Sequence, residues 1–416
     1  MREGKRPETA DGEIIFGRRY MQNVQTIKLA DNDKRGSLDL TDAMRKAQKE
    51  YGISYGHLAK DIYKLSRKNL HLTPKEYFYY RLFLNDIGFE EKTQYIGKEM
   101  QRAIYLACNR LLNWDSAADK LQFYIRMQAE GFRVPENYAI LEDRRRSFLC
   151  PHFNDKETFR SWFFSSMPVP VFCKPLNSKS GDGAFYIAAV DKQSATFLDA
   201  KGRRFDFDAL WELAQSYLQK GGMVVQEAFD MHSSLIEAAG PHLATLRVVV
   251  CLMDSGPVIT DVAWRVPSGE NIVDNFAYTG NVFAGVDEQS GIVEKLFISA
   301  AIPEEISEHP TTGKPLTGIK LPLWNEMVDQ VSKAALLFND MLVQSWDVAL
   351  TDKGVVFIEM NPSGIMDNCQ LTKRRGVWQG DFVNFVRKAY ERNVNSPILY
   401  SRKYVEKMLF GRKITK

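Results

Sequence analysis

Asp347, Glu359 and Asn361 carry side-chain oxygens at a spacing that suits one face of a β-hairpin. Residues 343–350 (VQSWDVAL) and 355–361 (VVFIEMN) read as strands around Asp352-Lys353-Gly354, where glycine can take the left-handed position of a three-residue loop. If the loop closes on Thr351 and Val355, Asp347 lies directly opposite Glu359 and Asn361 projects from the same face two residues on. Trp346, Val348, Ile358 and Met360 then line the other face. A polar, solvent-facing side of an antiparallel sheet is the plain alternative. Against it, two acids directly opposed repel unless a cation or a proton lies between them. A hard divalent ion such as Mg²⁺ accepts one or two carboxylates and takes its remaining oxygens from water and phosphates.

A second hairpin places cations. Residues 245–252 (TLRVVVCL) and 258–266 (VITDVAWRV) flank Asp254-Ser255-Gly256. Closure on Met253 and Pro257 sets Thr245 opposite Arg265 and Arg247 opposite Ala263, with Leu246, Val248 and Val250 turned the other way. A third stretch, residues 171–186 (VFCKPLNSKSGDGAFY), brings Lys174 on a strand into a turn holding Ser178, Ser180, Gly181, Asp182 and Gly183. Glycines there let successive N–H groups converge on an anion. The lysine precedes the glycines and the chain returns to a strand, unlike a Walker loop, so a phosphate-holding hairpin and an ordinary surface hairpin both fit. In residues 221–229 (GGMVVQEAF), Gln226 and Glu227 sit at a strand exit able to meet a base through backbone groups and a ribose through a carboxylate.

The positioning elements follow from periodicity. Residues 51–112 are helical in spacing (Leu58, Ile62, Leu65; Tyr77, Tyr80, Leu84), and Thr73-Pro74 with Glu76 reads as a helix start. The aromatic run Tyr77, Phe78, Tyr79, Tyr80 and Phe83 fits a helical core better than a ligand platform. A helix from Asp115 closes at Gly131 with Lys120 near its start, followed by a strand. Strands at 170–175, 184–190, 195–199 and 223–229, with a helix over 207–219, form an α+β unit. A helix over 323–342, with Trp324, Met327, Val331, Ala335 and Phe338 in phase, should pack on the apolar side of the hairpin sheet. Residues 269–281 and 309–313 are polar and glycine-rich, either substrate loops or plain connections. The first dozen residues read as mobile.

At 416 residues the chain holds two or three domains. Its 55 basic and 52 acidic residues nearly balance, so nucleic acid is not an expected partner. Five scattered cysteines without C-x-x-C spacing indicate neither a disulfide framework nor a zinc site and fit a reducing cytoplasm. The absence of a long apolar run predicts no membrane insertion.

Taken in order, Asp119-Lys120-Leu121, Lys174 with the SKSGDG turn, Gln226-Glu227, Leu246-Arg247, Asp347 and Glu359-x-Asn361 resemble the ATP-grasp superfamily over residues 115–375. The stretches TLRVV, VDNF, HPTTG, SWDVAL and EMNPSG resemble its sugar-transfer-associated branch, linked to cell-surface polysaccharide biosynthesis. Ser345 stands where that branch usually has Gly, and Ala244 where Asn commonly precedes Thr-x-Arg. The resemblance implies an α+β ATP-grasp fold of two subdomains gripping ATP, preceded by a helical region: residues 1–114, then 115–235 (small subdomain), then 236–416 (large subdomain). It implies that Lys120 and Lys174 contact ATP phosphates, that Ser178, Ser180, Gly181, Asp182 and Gly183 close over them, and that Gln226, Glu227, Phe229 and His232 hold the adenosine. Arg247 would face the transferring phosphoryl group, and Asp347, Glu359 and Asn361 would hold Mg²⁺, or Mn²⁺ in its place.

The expected activity is carboxylate–amine ligation through an acylphosphate, with a phosphotransferase on a sugar hydroxyl and a non-catalytic nucleotide-binding scaffold as alternatives. Its partners would be a small-molecule carboxylate and an amine. Arg265 and the run Lys373-Arg374-Arg375 could receive an acidic donor, although the run also reads as solvated surface. His232, His242 and His309 could accept the amine proton, or play structural parts.

Overall fold

Apolar alternation along short segments builds two seven-stranded sheets, each in its own unit. The coordinates, a computed structural model, describe residues 38–68, 71–110, 117, 119–145, 149–176, 183–218, 221–275, 278–362, 366–395 and 402–411. The expected mobile N-terminal residues and the serines, Gly181 and Asp182 of the 178–182 turn lie outside the described residues. One unit is Glu136–Ala228; the other combines Asp33–Pro135 with Phe229–Lys416. Within the second, the helical region that precedes the sheet shares its unit, whereas the sequence suggests a separate region ending at residue 114.

The first unit's strands are β1 (Asn137–Leu141), β2 (His152–Phe153), β3 (Val171–Pro175), β4 (Phe185–Asp191), β5 (Thr196–Asp199), β6 (Arg204–Asp206) and β7 (Met223–Glu227), in the order β2-β1-β7-β3-β4-β5-β6. Helices Lys156–Ser165 and Phe207–Leu218 contribute Phe159, Phe163, Phe207 and Leu210 to a core with Ala139, Val171, Cys173, Ile187 and Val225. Asp155 starts the first of these helices by accepting the Thr158 N–H at 2.9 Å.

In the second unit, β8 (Thr245–Met253), β9 (Gly256–Val266), β10 (Val282–Val286), β11 (Val293–Ile298), β12 (Glu304–Ile306), β13 (Val343–Thr351) and β14 (Gly354–Asn361) run in the order β12-β11-β10-β9-β8-β13-β14. One face presents Leu246, Val248, Val250, Trp264, Trp346, Val348 and Met360 to Met327, Val331, Ala335 and Phe338, mostly from the Trp324–Leu337 helix, as the heptad-like spacing predicts. On the opposite face, Val249, Cys251, Ala263 and Val343 pack against helices Lys98–Cys108, Gly380–Asn393 and Arg402–Phe410. Those helices cover only part of that face. The rest carries the charged residues and, on β11, Phe297, which packs into the core of the helical region.

Both hairpins reach the expected pairing by a different route. Met253 pairs with Gly256 and Thr351 with Gly354, so the turns hold two residues, Asp254-Ser255 and Asp352-Lys353, rather than three. The glycines that follow have φ of 111° and 101°, a region open to glycine alone among ordinary residues. Each β9 and β14 strand then carries one extra residue, Thr260 and Ile358, at a bulge. The shorter turn and the bulge offset one another, so Thr245 faces Arg265, Arg247 faces Ala263 and Asp347 faces Glu359.

A helix starts at Pro74 with Thr73 as its cap, as expected, and Thr73 and Glu76 close a capping box there. Tyr77, Phe78, Tyr80 and Phe83 are buried in the helical region's core with Phe297 and Leu371. Within the Lys373-Arg374-Arg375 run, Lys373 and Arg374 are taken up by ion pairs, while Arg375 is exposed, as the solvated-surface reading expects. Lys373 pairs with Glu288 (3.1 Å) and Glu294 (3.2 Å), Arg374 holds both Asp86 oxygens (2.8 and 3.0 Å), and Arg375 approaches Asp261 at 3.6 Å. All five cysteines are buried and unpaired. Among the described residues, no helix is long and apolar enough to cross a membrane.

Candidate active site

The charged end of the second sheet is assembled from four adjacent strands. Because side chains alternate, the odd positions Thr245 and Arg247 of β8, Arg265 of β9, and Ser345 and Asp347 of β13 share one face. Glu359 and Asn361 of β14 continue it. The register puts Asp347 between Arg247 on one side and Glu359 on the other.

The arginine–aspartate part of this face is closed to water, and Glu359 and Asn361 are half-buried. Asp347 is 4% exposed, Arg247 7% and Arg265 6%. Arg247 Nε lies 2.7 Å from Asp347 Oδ1, off the hydrogen-bonding line, so that contact is an ion pair; its Nη2 donates to Oδ2 at 3.2 Å and its Nη1 to Ser345 Oγ at 3.2 Å. Arg265 Nη2 stands 2.9 Å from Asp347 Oδ2. Two guanidiniums therefore bracket one carboxylate. Burial pushes the Asp347 carboxyl up to about 6, with Arg247 and Arg265 pulling it down and Glu359 and Asp274 adding to the rise. For Arg265, burial is the largest influence and disfavours charge, but Asp274 and Asp347 outweigh it and hold the group above its ordinary value. The Arg265 guanidinium is thus held in its charged form, and both guanidiniums oppose the rise that burial imposes on Asp347.

The loop before β10 completes the cluster. Asp274 accepts the Thr245 N–H at 3.0 Å and the Thr245 hydroxyl, and stands 3.5 Å from Arg265 Nη2. Asn281 anchors this loop by donating to the carbonyls of Val273 (2.8 Å) and Asn275 (2.9 Å). Thr311 of the 309–313 turn accepts the Gly269 N–H at 2.7 Å, so the two loops marked in the sequence are fastened together. His309 holds that turn: its Nε2 meets the Pro267 carbonyl at 2.9 Å and its Nδ1 accepts the Thr312 N–H at 3.3 Å, which assigns the Nε2–H tautomer. Burial lowers its pKa.

An all-oxygen donor set of Asp347, Glu359 and Asn361 suits Mg²⁺. Asp347 Oδ1 accepts no hydrogen bond, which leaves lone-pair capacity on a carboxylate already paired by charge. Asn361 Nδ2 donates to Glu359 Oε1 at 3.0 Å, which fixes the amide's orientation and the carboxylate's. Among the described residues, no group of three or more His, Cys, Asp or Glu side chains is placed to hold a metal, so these ligands would depend on the Asn and on a substrate's oxygens.

The other residues singled out in the sequence take varied places. Lys120 opens the Lys120–Ala129 helix, whose cap is Asp119, accepting the Leu121 N–H at 2.9 Å. Phe229 lies under the Arg133 guanidinium, 5.6 Å from its ring centre. His232 is a helix cap: its Nδ1 accepts the Ser234 N–H at 3.3 Å and its Nε2 is 3.6 Å from Asp352. In the other unit, Lys174 is buried on β3 opposite Val224. Gly183 has φ 78°, and a Cβ there would stand 2.1 Å from the Tyr217 hydroxyl, so only glycine fits. Gln226 is not at an exposed edge. β7 lies between β1 and β3, the side chain is buried, and its Nε2 donates to Asn137 Oδ1 at 2.7 Å. The Glu227 N–H is likewise taken, by the Glu136 carbonyl at 2.8 Å. Asp274 and Ser345 had no assigned role in the sequence; the VDNF stretch and the Ser-for-Gly departure were their only signals.

No curated protein sequence matches the chain. Solved structures similar to it include the L-amino acid ligase from Bacillus licheniformis, with 9% identity, a TM-score of 0.35, and coverage of 65% of this chain and 48% of that one. The VanG D-Ala:D-Ser ligase from Enterococcus faecalis gives 14%, 0.36, 66% and 61%. The D-alanine-D-alanine ligase from Helicobacter pylori gives 12%, 0.38, 68% and 63%. The chain thus spans about half the length of the amino acid ligase and less than two thirds of the other two. The sequence profile described as sugar-transfer associated ATP-grasp matches residues 99–381, starting within the Lys98–Cys108 helix rather than near residue 115. With most of the chain inside that match, this protein, an ATP-grasp fold preceded by a helical region, belongs to the sugar-transfer associated ATP-grasp family.

Proposed function

We propose that this protein is an ATP- and Mg²⁺-dependent carboxylate–amine ligase working through an acylphosphate, joining an amino acid or amine to a carboxylate on a sugar or small molecule in surface polysaccharide biosynthesis. The observation that carries this reading, beside family membership, is the buried face on which Asp347 stands directly opposite Glu359 and is bracketed by Arg247 and Arg265. A substrate carboxylate oxygen would attack the γ-phosphorus of ATP while the bond to the β-phosphate oxygen breaks and ADP departs. An amine nitrogen then attacks the acyl carbon, phosphate leaves, and the amine gives up a proton. No covalent nucleophile from the protein is required, because the chemistry rests on alignment and on neutralising phosphoryl charge.

Asp347, Glu359 and Asn361 would hold the metal, which when bound neutralises phosphate oxygens. Arg247 and Arg265 are preorganised: each is held by Asp347, so neither guanidinium needs to reorient as charge develops. In the first unit, Lys174 and Gly183 are the nucleotide-phosphate residues of this reading. The test is ADP release on screening amino acids against uronic-acid sugars, with hydroxylamine added. A ligase yields a hydroxamate. ATP turnover without hydroxamate, and with a phosphorylated sugar detected by mass, would instead establish a phosphotransferase.

A further inference from the structure

We infer that Asp274 and Thr245 form a positioning relay that sets the Arg265 guanidinium against Asp347. The inference rests on the active-site reading above and extends it to a loop that reading leaves out.

A threonine hydroxyl has one proton and two acceptor lone pairs. Here the proton goes to Asp274, because the carboxylate is acceptor-only and lies within hydrogen-bond reach of Thr245 Oγ1. The lone pairs are thereby turned to Arg265, whose Nε donates to the same oxygen at 3.2 Å and whose Nη2 donates to it as well. That Nη2 also meets Asp347 Oδ2 at 2.9 Å. The chain of contacts therefore runs from the loop carboxylate, through one hydroxyl, to the guanidinium and on to the carboxylate proposed to bind metal.

Backbone geometry locks the relay at both ends. Thr245 is paired with Arg265 across β8 and β9, and its own N–H is fixed to Asp274 at 3.0 Å. Asp274 is 8% exposed, and its loop is held by Asn281 and, through Gly269, by Thr311. A buried carboxylate on a pinned loop is costly unless it compensates a nearby charge. The Arg265 charge at 3.5 Å supplies that compensation. Asp274 is thus a positioning residue, acting on the reacting centre only through Thr245 and Arg265.

The test compares Thr245→Val, which keeps the shape and removes the hydroxyl, with Thr245→Ser, which restores it, and with Asp274→Asn. Two readouts are taken on the full chain: the Arg265 Nε–H signal in ¹⁵N–¹H spectra, assigned by its loss in Arg265→Lys, and ADP release under the conditions that support turnover. The relay predicts that Thr245→Val and Asp274→Asn shift the Arg265 signal and speed its solvent exchange at least ~10-fold, while Thr245→Ser keeps it near the wild-type position. It predicts a kcat about 10²-fold lower in Thr245→Val with the KM for ATP within ~3-fold, and recovery in Thr245→Ser. An Arg265 signal unmoved in both Thr245→Val and Asp274→Asn, or a Thr245→Ser variant as impaired as Thr245→Val, overturns the relay. Should the wild type consume no ATP, the ligase reading falls while the Nε–H signal still decides the relay; should wild type and Thr245→Val turn over equally, the relay alone falls.

Discussion

Replacing Arg247 by Met removes one of the two guanidiniums that bracket Asp347 while keeping much of the side chain's bulk. The loss comprises a 2.7 Å ion pair, a 3.2 Å hydrogen bond to the same carboxylate and a 3.2 Å hydrogen bond to Ser345. Breaking a buried pair typically costs about 3–5 kcal/mol. Arg265, still 2.9 Å from Asp347, retains part of the compensation, which places the expected destabilisation at the lower end, about 3 kcal/mol. The cost should depend on pH in a definite sense. Asp347's folded pKa, raised to about 6 mainly by burial, means that its ionisation destabilises the fold as pH rises through that value. Without Arg247, which pulls it down, the variant's carboxyl titrates higher. Wild type and variant then share a protonated Asp347 below about pH 6 and diverge above it, so the stability gap is wider at pH 8 than at pH 5.5. Denaturant unfolding at both pH values, with the slope checked for two-state behaviour, measures this. The double variant Arg247→Met/Asp347→Asn should lose less than the sum of the single losses. A gap below about 1 kcal/mol at pH 8, or one that narrows with pH, refutes the reasoning.

Two further outcomes follow from groups away from the site. Asp261 is buried, and that burial raises its carboxyl to about 7 against the pull of Arg375, so wild-type stability should fall as pH climbs from about 4 through 7; Asp261→Asn should lack that fall and gain on the wild type by roughly 3–4 kcal/mol over the range, read by unfolding titrations. Asn109 donates to the Val343 (2.7 Å) and Pro362 (2.6 Å) carbonyls and accepts the Val343 N–H (2.9 Å), joining the end of the Lys98–Cys108 helix to β13, so Asn109→Ala should cost about 2–4 kcal/mol in the same assay.

The site was legible because sheet faces obey a period of two. Apolar residues at 246, 248 and 250 and at 346, 348 and 360 force Arg247, Arg265, Asp347 and Glu359 to the opposite face, whatever the turn does. The bulges at Thr260 and Ile358 carry no special residue type, which is why the longer turns gave the right pairing for the wrong reason. Burial of the charged face was not legible, because it comes from ion pairing across strands and from a loop whose Asp274 reaches back from another part of the chain. The helix Lys156–Ser165 went unread although Asp155 and Thr158 mark its start, and β10 (VFAGV) has five buried residues in a row and so no alternation to see. In the basic run at 373–375, the exposed Arg375 fits a solvated surface, but the pairing of Lys373 and Arg374 was not legible because Glu288, Glu294 and Asp86 are all distant in sequence.

The central claim, that Asp347 and Glu359 serve one metal-dependent ATP site, is tested most directly by Mg²⁺-dependent ADP release in Asp347→Asn and Glu359→Gln. Each removes one negative charge with little change of shape. The account predicts that both lose turnover by at least ~10²-fold while remaining folded by circular dichroism. Wild-type turnover in both variants would contradict it.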